Sequence, residues 1–347
     1  MVPSYLPRLV NGPFEDPALF VPFRYQQRAM LFDLGDIAAL PARDILKITH
    51  IFISHTHMDH FVGFDRLLRI FLGRDKDLFL WGPQGFLANL EGKLAGYCWN
   101  LVKNYPNRLI LRAIELHPNR AIVKDYPCRN GFTADGTIRE MPFDGVALAE
   151  PELTVRAVHL EHGIPVLGFS LHERFHINIM KKQLENLELA PGPWLKRFKA
   201  LLYRGADPQT PVRIPSPNHP DSELQFPLAD LQSAIARITP GQSLAYVADA
   251  AGTDENFIKI RKLAANVDRL FIEAAFSDAH REIARRKRHL TARQAGDLAR
   301  SCRVKQYHLF HYSPRYTDCP EWLEAEADKA FRGQATPTDE IMARLKR

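Results

Sequence analysis

The stretch ITHIFISHTHMDHFVGFDRLLRIF, residues 48–71, decides the prediction of the fold. ITHIFIS is rich in β-branched and aromatic residues and predicts a buried strand, whereas FDRLLRIF has apolar residues at helical spacing. The polar motif between them contains His55, His57, Asp59 and His60. Alternate side chains of a strand project the same way, so the first two histidines are expected to lie together, with the other two residues nearby in the following turn.

This motif has the chemistry of a metal site, because imidazole and carboxylate groups together suit Zn²⁺ or Mn²⁺. A catalytic zinc binds three protein ligands and keeps one position for water, so four clustered ligands predict two divalent ions that share a bridging water. Such a water is acidic enough to be hydroxide near neutral pH, which suits hydrolysis. Two ions need further ligands, and the candidates after later apolar strands are His159 or His162, Asp249 and His311.

The composition is that of an ordinary globular protein. The 347 residues include 46 Lys and Arg against 40 Asp and Glu, a net charge of +6, and 46% of them are hydrophobic. These values exclude the disordered, collagen-like and disulfide-rich classes. Four cysteines without a C-x-x-C pair predict a reduced, intracellular chain. The first residues are too polar for a signal peptide and no apolar run reaches roughly 18 residues, so we expect a cytoplasmic protein without membrane contact.

Short apolar runs alternate with amphipathic stretches along most of the chain, which predicts an α/β fold. We expect a single domain over 1–347 with an inserted arm at 174–222, which contains two short helices separated by Pro191-Gly192-Pro193. Between 171 and 204 the chain has seven Lys and Arg against three Glu. The aromatic residues of the arm could pack on ribose or on bases, but Trp194 and Phe198 are expected to pack within the arm. The candidate RNA contacts of the arm are Lys181, Lys182, Lys196, Arg197 and Lys199.

A second basic segment covers 278–305, with nine Lys and Arg against three acidic residues. A basic helix beside a hydrolytic site suits binding of the phosphates on either side of a scissile bond. His289 lies in this segment, ahead of a T-x-x-Q capping box that begins at Thr291, and is the candidate donor of a proton to a leaving oxygen. The candidate RNA contacts of the segment are Arg285, Arg286, Lys287 and Arg288.

The HxHxDH motif after a strand resembles the metallo-β-lactamase superfamily, and within it the ribonuclease Z family of tRNA 3′-end processing endonucleases. The resemblance covers about 31–332 and rests on LFDLGD (31–36), WGPQG (81–85), HGIPVLGFS (162–170), VADA (247–250), IEAAF (272–276), RHLTA (288–292), FHYSPRY (310–316) and APGPWLKRFK (190–199). It implies a four-layer αββα sandwich with a dinuclear site at its edge and an inserted arm that binds tRNA.

The resemblance also implies a role for each candidate residue. It selects His162 rather than His159 as a ligand, and it implies that His289 donates the proton with Glu273 as its polar partner. The ligands that it implies for one metal are His55, His57, His162 and Asp249. Those that it implies for the other are Asp59, His60, Asp249 and His311.

Some segments depart from the family pattern. PRLVNGPFEDPALFV (7–21) stands where an FLGTG-like glycine turn is usual, and DIAALPARD (36–44) replaces a glycine-rich segment. Ile272 and Ala275 occupy positions where the family has His and Thr, and Ser170 stands in place of an Arg. None of these positions is a proposed metal ligand.

The leading hypothesis is a zinc-dependent phosphodiesterase that removes the 3′ trailer from precursor tRNA or a related structured RNA. Asp59 is expected to bind a metal through one oxygen and to orient or deprotonate the water through the other. The alternatives are a hydrolase of the same fold that acts on a small phosphodiester, thioester or lactone, and a non-catalytic RNA-binding relative. The basic arm disfavours the first alternative, and the ligand set with His289 disfavours the second. The resemblance to a family of dimeric proteins also suggests a homodimer.

Overall fold

The computed structural model describes residues 4–24, 26–134, 136–216 and 222–334. The chain forms two compact units. The larger unit consists of the described residues of 5–147, 155–171 and 243–347. The smaller unit consists of the described residues of 1–4, 148–154 and 172–242.

The strands are β1 (Arg8–Leu9), β2 (Leu19–Pro22), β3 (Ala29–Phe32), β4 (Ile48–Phe52), β5 (Lys76–Pro83), β6 (Leu109–Leu116), β7 (Arg120–Pro127), β8 (Arg139–Pro142), β9 (Val146–Ala149), β10 (Leu153–Glu161), β11 (Pro165–Glu173), β12 (Phe175–Ile179), β13 (Pro211–Pro215), β14 (Glu223–Pro227), β15 (Ala236–Pro240), β16 (Ser243–Val247), β17 (Arg269–Glu273) and β18 (Gln306–Phe310).

The helices are α1 (Ala42–Ile45), α2 (Met58–Phe61), α3 (Phe64–Phe71), α4 (Phe86–Ala95), α5 (Lys181–Asn186), α6 (Trp194–Arg204), α7 (Leu228–Ile235), α8 (Asp254–Leu263), α9 (Arg281–Lys287), α10 (Ala292–Ser301) and α11 (Glu321–Phe331). Short 3₁₀ turns cover Val102–Asn104, Cys128–Asn130, Asp278–His280 and Pro314–Tyr316.

Two large sheets form the centre of the larger unit. In the described chain, the first sheet has eight strands in the order β1 to β8, and the second has six in the order β18-β17-β16-β11-β10-β9. The facing sides of the sheets meet through aromatic rings: Phe169 of β11 lies 5.8 Å from Phe32 and 5.6 Å from Phe52 between ring centroids. Tyr246 of β16 lies 5.9 Å from Phe32. These contacts exclude water from the space between the sheets.

Helices cover the outer faces of both sheets. The apolar sides of α3 and α4 pack on the first sheet, where Phe64 and Leu90 are fully buried in the core. Those of α8, α10 and α11 pack on the second, where Ile260 and Leu323 are fully buried. The result is the α/β fold that the sequence pattern predicts, with the four αββα layers that the family resemblance implies.

Parallel pairing brings the functional loops to one edge of the sandwich. Strands β3, β4, β5 and β6 are paired in parallel, as are β16, β17 and β18. The carboxyl ends of parallel strands meet at the same edge of a sheet, so the segments after β4, β16 and β18 lie close together.

The smaller unit has its own apolar core. Antiparallel strand pairs β12–β15 and β13–β14 pack with α5, α6 and α7 around residues such as Phe198 and Leu231. Trp194 and Phe198 are buried in this core, as expected, and Pro191-Gly192-Pro193 lies between α5 and α6. This unit continues to Gln242, beyond the segment 174–222. No helix in the described ranges has the length and hydropathy needed to cross a membrane.

Candidate metal centre

The candidate ligands lie at strand ends of the larger unit, as their sequence positions suggest. His55 and His57 follow β4, and α2 carries Asp59 and His60. The remaining candidate ligands follow strands of the second sheet: His162 follows β10, Asp249 follows β16 and His311 follows β18. The structure therefore brings residues that are up to 256 positions apart, from His55 to His311, into one cluster.

Half of this cluster consists of three imidazoles around one carboxylate oxygen. Asp249 Oδ2 lies 3.6 Å from His55 Nε2 and 3.4 Å from His162 Nε2. His57 Nδ1 lies 2.9 Å from His55 Nε2, and its ring is the exposed one of the set. His159 is elsewhere: its Nε2 lies 3.0 Å from the carbonyl oxygen of Leu116. His162, and not His159, is thus the histidine that the structure places in the cluster.

The other half shares the same aspartate. Asp249 Oδ1 lies 3.1 Å from His311 Nδ1 and 3.5 Å from His60 Nε2. Asp59 Oδ2 lies 3.1 Å from His311 Nε2 and 3.4 Å from His60 Nε2. Asp249 therefore stands between two donor sets, each of which has its ligand atoms within 4.8 Å of one another.

The polar atoms of this cluster fit a cation. Among the described residues, His60 Nε2, Asp249 Oδ1 and His311 Nδ1 are buried and lack a hydrogen-bond partner, although they face one another. Buried polar atoms without a partner are costly, whereas a divalent ion accepts the lone pairs of all three. Nitrogen and carboxylate donors that converge in this way are able to hold divalent metal.

The sequence is similar to those of ribonuclease Z proteins from several bacteria. Ribonuclease Z of Deinococcus radiodurans is 31% identical over 301 residues, which span 86% of this chain and 86% of that protein. The chain belongs to the ribonuclease Z family. Ribonuclease Z of Bacteroides thetaiotaomicron is 27% identical over 299 residues, 84% of this chain and 79% of that protein. No family model matches the sequence.

The comparison with solved structures supports the fold. The metallo-β-lactamase fold protein YhfI of Bacillus subtilis superposes with a TM-score of 0.52 over 93% of this chain and 90% of that one. At 14% sequence identity this likeness shows the fold alone. The predicted metallo-β-lactamase fold and the predicted ribonuclease Z family are both confirmed.

Burial and neighbouring charges set the protonation of the candidate ligands. Burial lowers the pKa of His55 to about 2, so that ring is neutral, as a metal ligand must be. Burial raises the pKa of Asp59, but the neighbouring imidazoles of His311 and His60 outweigh it, and the pKa lies well below its usual range. Burial lowers the pKa of His60, but the carboxylates of Asp249 and Asp33 outweigh it and raise the pKa. The negative charge that stabilises a proton there also favours a divalent cation.

Asp33 of the LFDLGD motif contacts the candidate ligand His60 and was not among the site residues predicted from the sequence. Its Oδ2 accepts hydrogen bonds from Tyr246 and Ser54, each at 2.8 Å, and contacts His60 Nδ1 at 2.8 Å. Its Oδ1 accepts the backbone N–H of Ser54 at 2.6 Å. A carboxylate behind a ligating histidine fixes the ring and its tautomer. The signal in the sequence that could have indicated Asp33 is its position as a charged residue directly after the apolar strand β3.

Replacing this carboxylate should weaken metal binding without removing a ligand. In Asp33→Asn, His60 loses the charge that orients its ring, so we expect zinc affinity to fall by roughly 10–100-fold. Competition against a chromogenic chelator measures this change. Asp44→Asn, which removes an acid that pairs with Lys47 outside the site, is the matched control. Equal zinc affinity in the two variants would contradict the role of Asp33.

Two further features fix the ligand loops. The buried amide of Asn256 donates 2.9 Å hydrogen bonds to the carbonyl oxygens of Glu161 and Ala251, which flank the loops of His162 and Asp249. A close backbone approach fixes α2, because a Cβ added at Gly35 would lie only 2.6 Å from the carbonyl oxygen of Asp59. Only glycine permits this contact.

The backbone at the site is strained. Asp33, Asp249 and His311 have φ angles of +56°, +39° and +62°, in the left-handed region that residues other than glycine rarely adopt. Each such residue costs about 1–3 kcal/mol and persists only when surrounding contacts hold it. Strain at three strand ends of one cluster is typical of a functional site.

His289 and Glu273 form a pair beside the cluster. His289 Nδ1 lies 2.9 Å from Oε2 of the fully buried Glu273, whose Oε1 accepts the backbone N–H of Ala250 at 2.6 Å. The ring centroid of His289 is 4.8 Å from that of His162 and 5.4 Å from that of His311. Burial lowers the pKa of His289, but the Glu273 carboxylate outweighs it and raises the pKa to about 9. A protonated imidazole beside the ligands suits the predicted role of proton donor.

The predicted RNA contacts are mostly exposed cations. On the larger unit, Arg285 pairs with Glu282 at 3.0 Å and Arg288 pairs with Glu161, whereas Lys287 lies over the ring of Phe276. On the smaller unit, the exposed predicted contacts are Lys181, Lys182, Lys196 and Arg197. Lys199 is different, because it is partly buried and burial lowers its pKa.

Proposed function

We propose that this member of the ribonuclease Z family is a zinc-dependent endoribonuclease that removes the 3′ trailer from precursor tRNA. The observation that carries this proposal is the convergence of His55, His57, Asp59, His60, His162, Asp249 and His311 beside the His289–Glu273 pair. The names of the relatives point the same way. Zinc is the proposed metal because it favours histidine nitrogen and carboxylate oxygen at low coordination number.

Hydrolysis needs a nucleophile, and Asp59 is placed to position it. Two ions bound by the seven ligands would supply a water that is ionised at neutral pH and would neutralise charge on the phosphate. The Asp59 side chain is 39% exposed, whereas those of Asp249 and Glu273 are 3% and 0% exposed. Of these three carboxylates, that of Asp59 therefore has the freest access to a solvent water and can accept its hydrogen bond.

The departing oxygen needs a proton, which His289 supplies. As the oxygen of water bonds to phosphorus, the bond from phosphorus to the 3′-oxygen breaks, and the imidazolium proton of His289 passes to that oxygen. The products are a tRNA with a 3′-hydroxyl and a trailer with a 5′-phosphate. Glu273 stabilises the charged form of His289 before the transfer and fixes its ring.

Exposed cations on both units support an RNA substrate rather than a small ester. The smaller unit lacks the candidate metal ligands but presents Lys181, Lys182, Lys196 and Arg197 to solvent. Such cations neutralise backbone phosphates, which gives salt-dependent affinity without sequence preference. We therefore propose that the smaller unit is an RNA-binding arm. The homodimer and the cytoplasmic location stay predictions.

Excising the arm tests this proposal. Glu173 and Gln242 are joined by a 2.8 Å backbone hydrogen bond, so residues 174–241 can be replaced by a short Gly-Ser bridge. We expect the full chain to cleave precursor tRNA and the excised form to bind it more weakly. The binding constant should also depend less steeply on salt: the slope of its logarithm against the logarithm of the salt concentration should become shallower by about 0.7–0.9 for each lost phosphate contact. Fluorescence anisotropy at several salt concentrations measures both quantities.

The internal control is hydrolysis of bis(p-nitrophenyl) phosphate, which should continue after the excision because the seven candidate ligands remain. Unchanged affinity and salt slope for precursor tRNA would show that the arm does not bind RNA. A full chain that hydrolyses the small ester but cleaves no precursor tRNA would favour the alternative of a small-substrate hydrolase.

A further inference from the structure

Arg288 contacts three consecutive residues of the loop that carries the candidate ligand His162. Its carbonyl oxygen lies 2.7 Å from His162 Nδ1. Its guanidinium pairs with the carboxylate of Glu161 and lies over Gly163, where an added Cβ would be only 2.8 Å from Arg288 Nη1. The Glu161 carboxylate also accepts the backbone N–H of Gly163 at 2.7 Å. The backbone and the side chain of one residue, 126 positions away from His162, therefore hold this loop.

The backbone contact determines which nitrogen of His162 is available to a metal. A carbonyl oxygen only accepts hydrogen bonds, so Nδ1 carries the proton in the neutral ring. The free lone pair is then on Nε2, which lies 3.4 Å from Oδ2 of Asp249 in the candidate donor set. A hydrogen bond from the other ring nitrogen fixes the tautomer and the orientation of a ligating histidine.

Arg288 has an unusual backbone conformation, which sets the direction of this carbonyl. It follows α9 with a φ angle of +63°, in the left-handed region that glycine usually occupies after a helix. A residue with a Cβ is strained there and keeps the conformation only where surrounding contacts hold it. The guanidinium of Arg288 supplies such contacts, with Glu161 and Gly163. The side chain thus stabilises the backbone conformation that directs the carbonyl to His162.

We propose that Arg288 is a positioning residue, which orients His162 for the binding of zinc. The inference rests on the metal centre of the proposed function and adds a residue to its support. This role is independent of the RNA contact predicted for the same side chain. Attraction between charges does not explain it, because a cation beside a metal centre repels a divalent ion. The contacts of Arg288 favour the metal through the geometry of the ligand loop.

Replacing Arg288 in the absence of RNA tests this role. Arg288→Ala removes the side-chain contacts but keeps the strained Cβ, so the carbonyl loses its direction and we expect zinc affinity to fall by about tenfold. Charge alone predicts the opposite sign, since the loss of a cation strengthens the binding of Zn²⁺. Competition against a chromogenic chelator measures the affinity. The matched control is Arg286→Ala, the same charge change at an exposed position of α9, for which we expect less than about a twofold change.

A second variant separates the side chain of Arg288 from its backbone. Arg288→Gly removes the guanidinium but allows a left-handed φ without strain, and glycine after a helix favours the native fold. The carbonyl contact with His162 is therefore retained, and we expect a zinc affinity between those of Arg288→Ala and Arg286→Ala. A residue that acts only through its charge would give the same affinity as alanine and as glycine.

Zinc binding and RNA cleavage distinguish a failure of this inference from a failure of the proposed function. Equal zinc affinities in Arg288→Ala, Arg288→Gly and Arg286→Ala, in a chain that cleaves precursor tRNA, would overturn the positioning role and leave the function standing. Weaker zinc binding in Arg288→Ala, with an unchanged chain that cleaves no precursor tRNA, would support the positioning role and overturn the function.

Discussion

Asp59→Ala should abolish turnover of every substrate, with a loss of at least roughly 10⁴-fold in kcat. The substitution removes a candidate ligand whose Oδ2 lies 3.1 Å from His311 Nε2 and 3.4 Å from His60 Nε2. It also removes the carboxylate that, in the proposed mechanism, accepts a hydrogen bond from the attacking water. Both losses act on a step common to RNA and small esters, so precursor tRNA and bis(p-nitrophenyl) phosphate should be affected equally.

The control for this variant is Asp65→Ala. Asp65 lies on the neighbouring helix α3, and its carboxylate pairs with Lys93 at 3.2 Å. The control variant should retain activity close to that of the unchanged protein. Metal content, measured by elemental analysis after zinc loading, should fall below two ions per chain in Asp59→Ala only. Activity above about a tenth of that of the unchanged protein would contradict both roles of Asp59.

The local part of the site was predictable from sequence because short-range geometry determines it. His55, His57, Asp59 and His60 follow one strand within six residues, so alternation and one turn bring them together. Distant ligands were predictable only as residues at strand ends. Their convergence depends on the parallel pairing of β16, β17 and β18. The alternation of strands and helices in the sequence predicts parallel strands, but it does not predict which residues of neighbouring strands are paired. The resemblance to a family supplied the choice of His162.

The supporting contacts were not predictable, because they join residues far apart in the chain. The hydroxyl of Tyr246 reaches Asp33 across 213 positions, and Asn256 reaches Glu161 across 95. Nothing in the local pattern of an apolar strand or an amphipathic helix marks such partners.

His289→Ala should slow cleavage of precursor tRNA by roughly 10²–10⁴-fold and leave zinc content unchanged. The reason is the leaving group: a 3′-alkoxide is too basic to depart without a proton, whereas p-nitrophenolate leaves readily as an anion. Hydrolysis of bis(p-nitrophenyl) phosphate should therefore lose much less than cleavage of RNA. The two rates, measured on one preparation, give a ratio that does not depend on the amount of active enzyme. Equal losses on both substrates would remove His289 from the role of general acid.

The pH profile separates this role from a structural one. Burial disfavours the charged form of His289, but Glu273, 2.9 Å away, raises its pKa to about 9. The proton is thus present at neutral pH and is lost as the pH rises through the pKa, so kcat for RNA should fall on the alkaline side. Glu273→Gln removes the negative charge and lowers the pKa of His289, so the same fall should begin at lower pH. A merely structural histidine would leave the position of this limb unchanged, because it would carry no proton that the leaving oxygen needs.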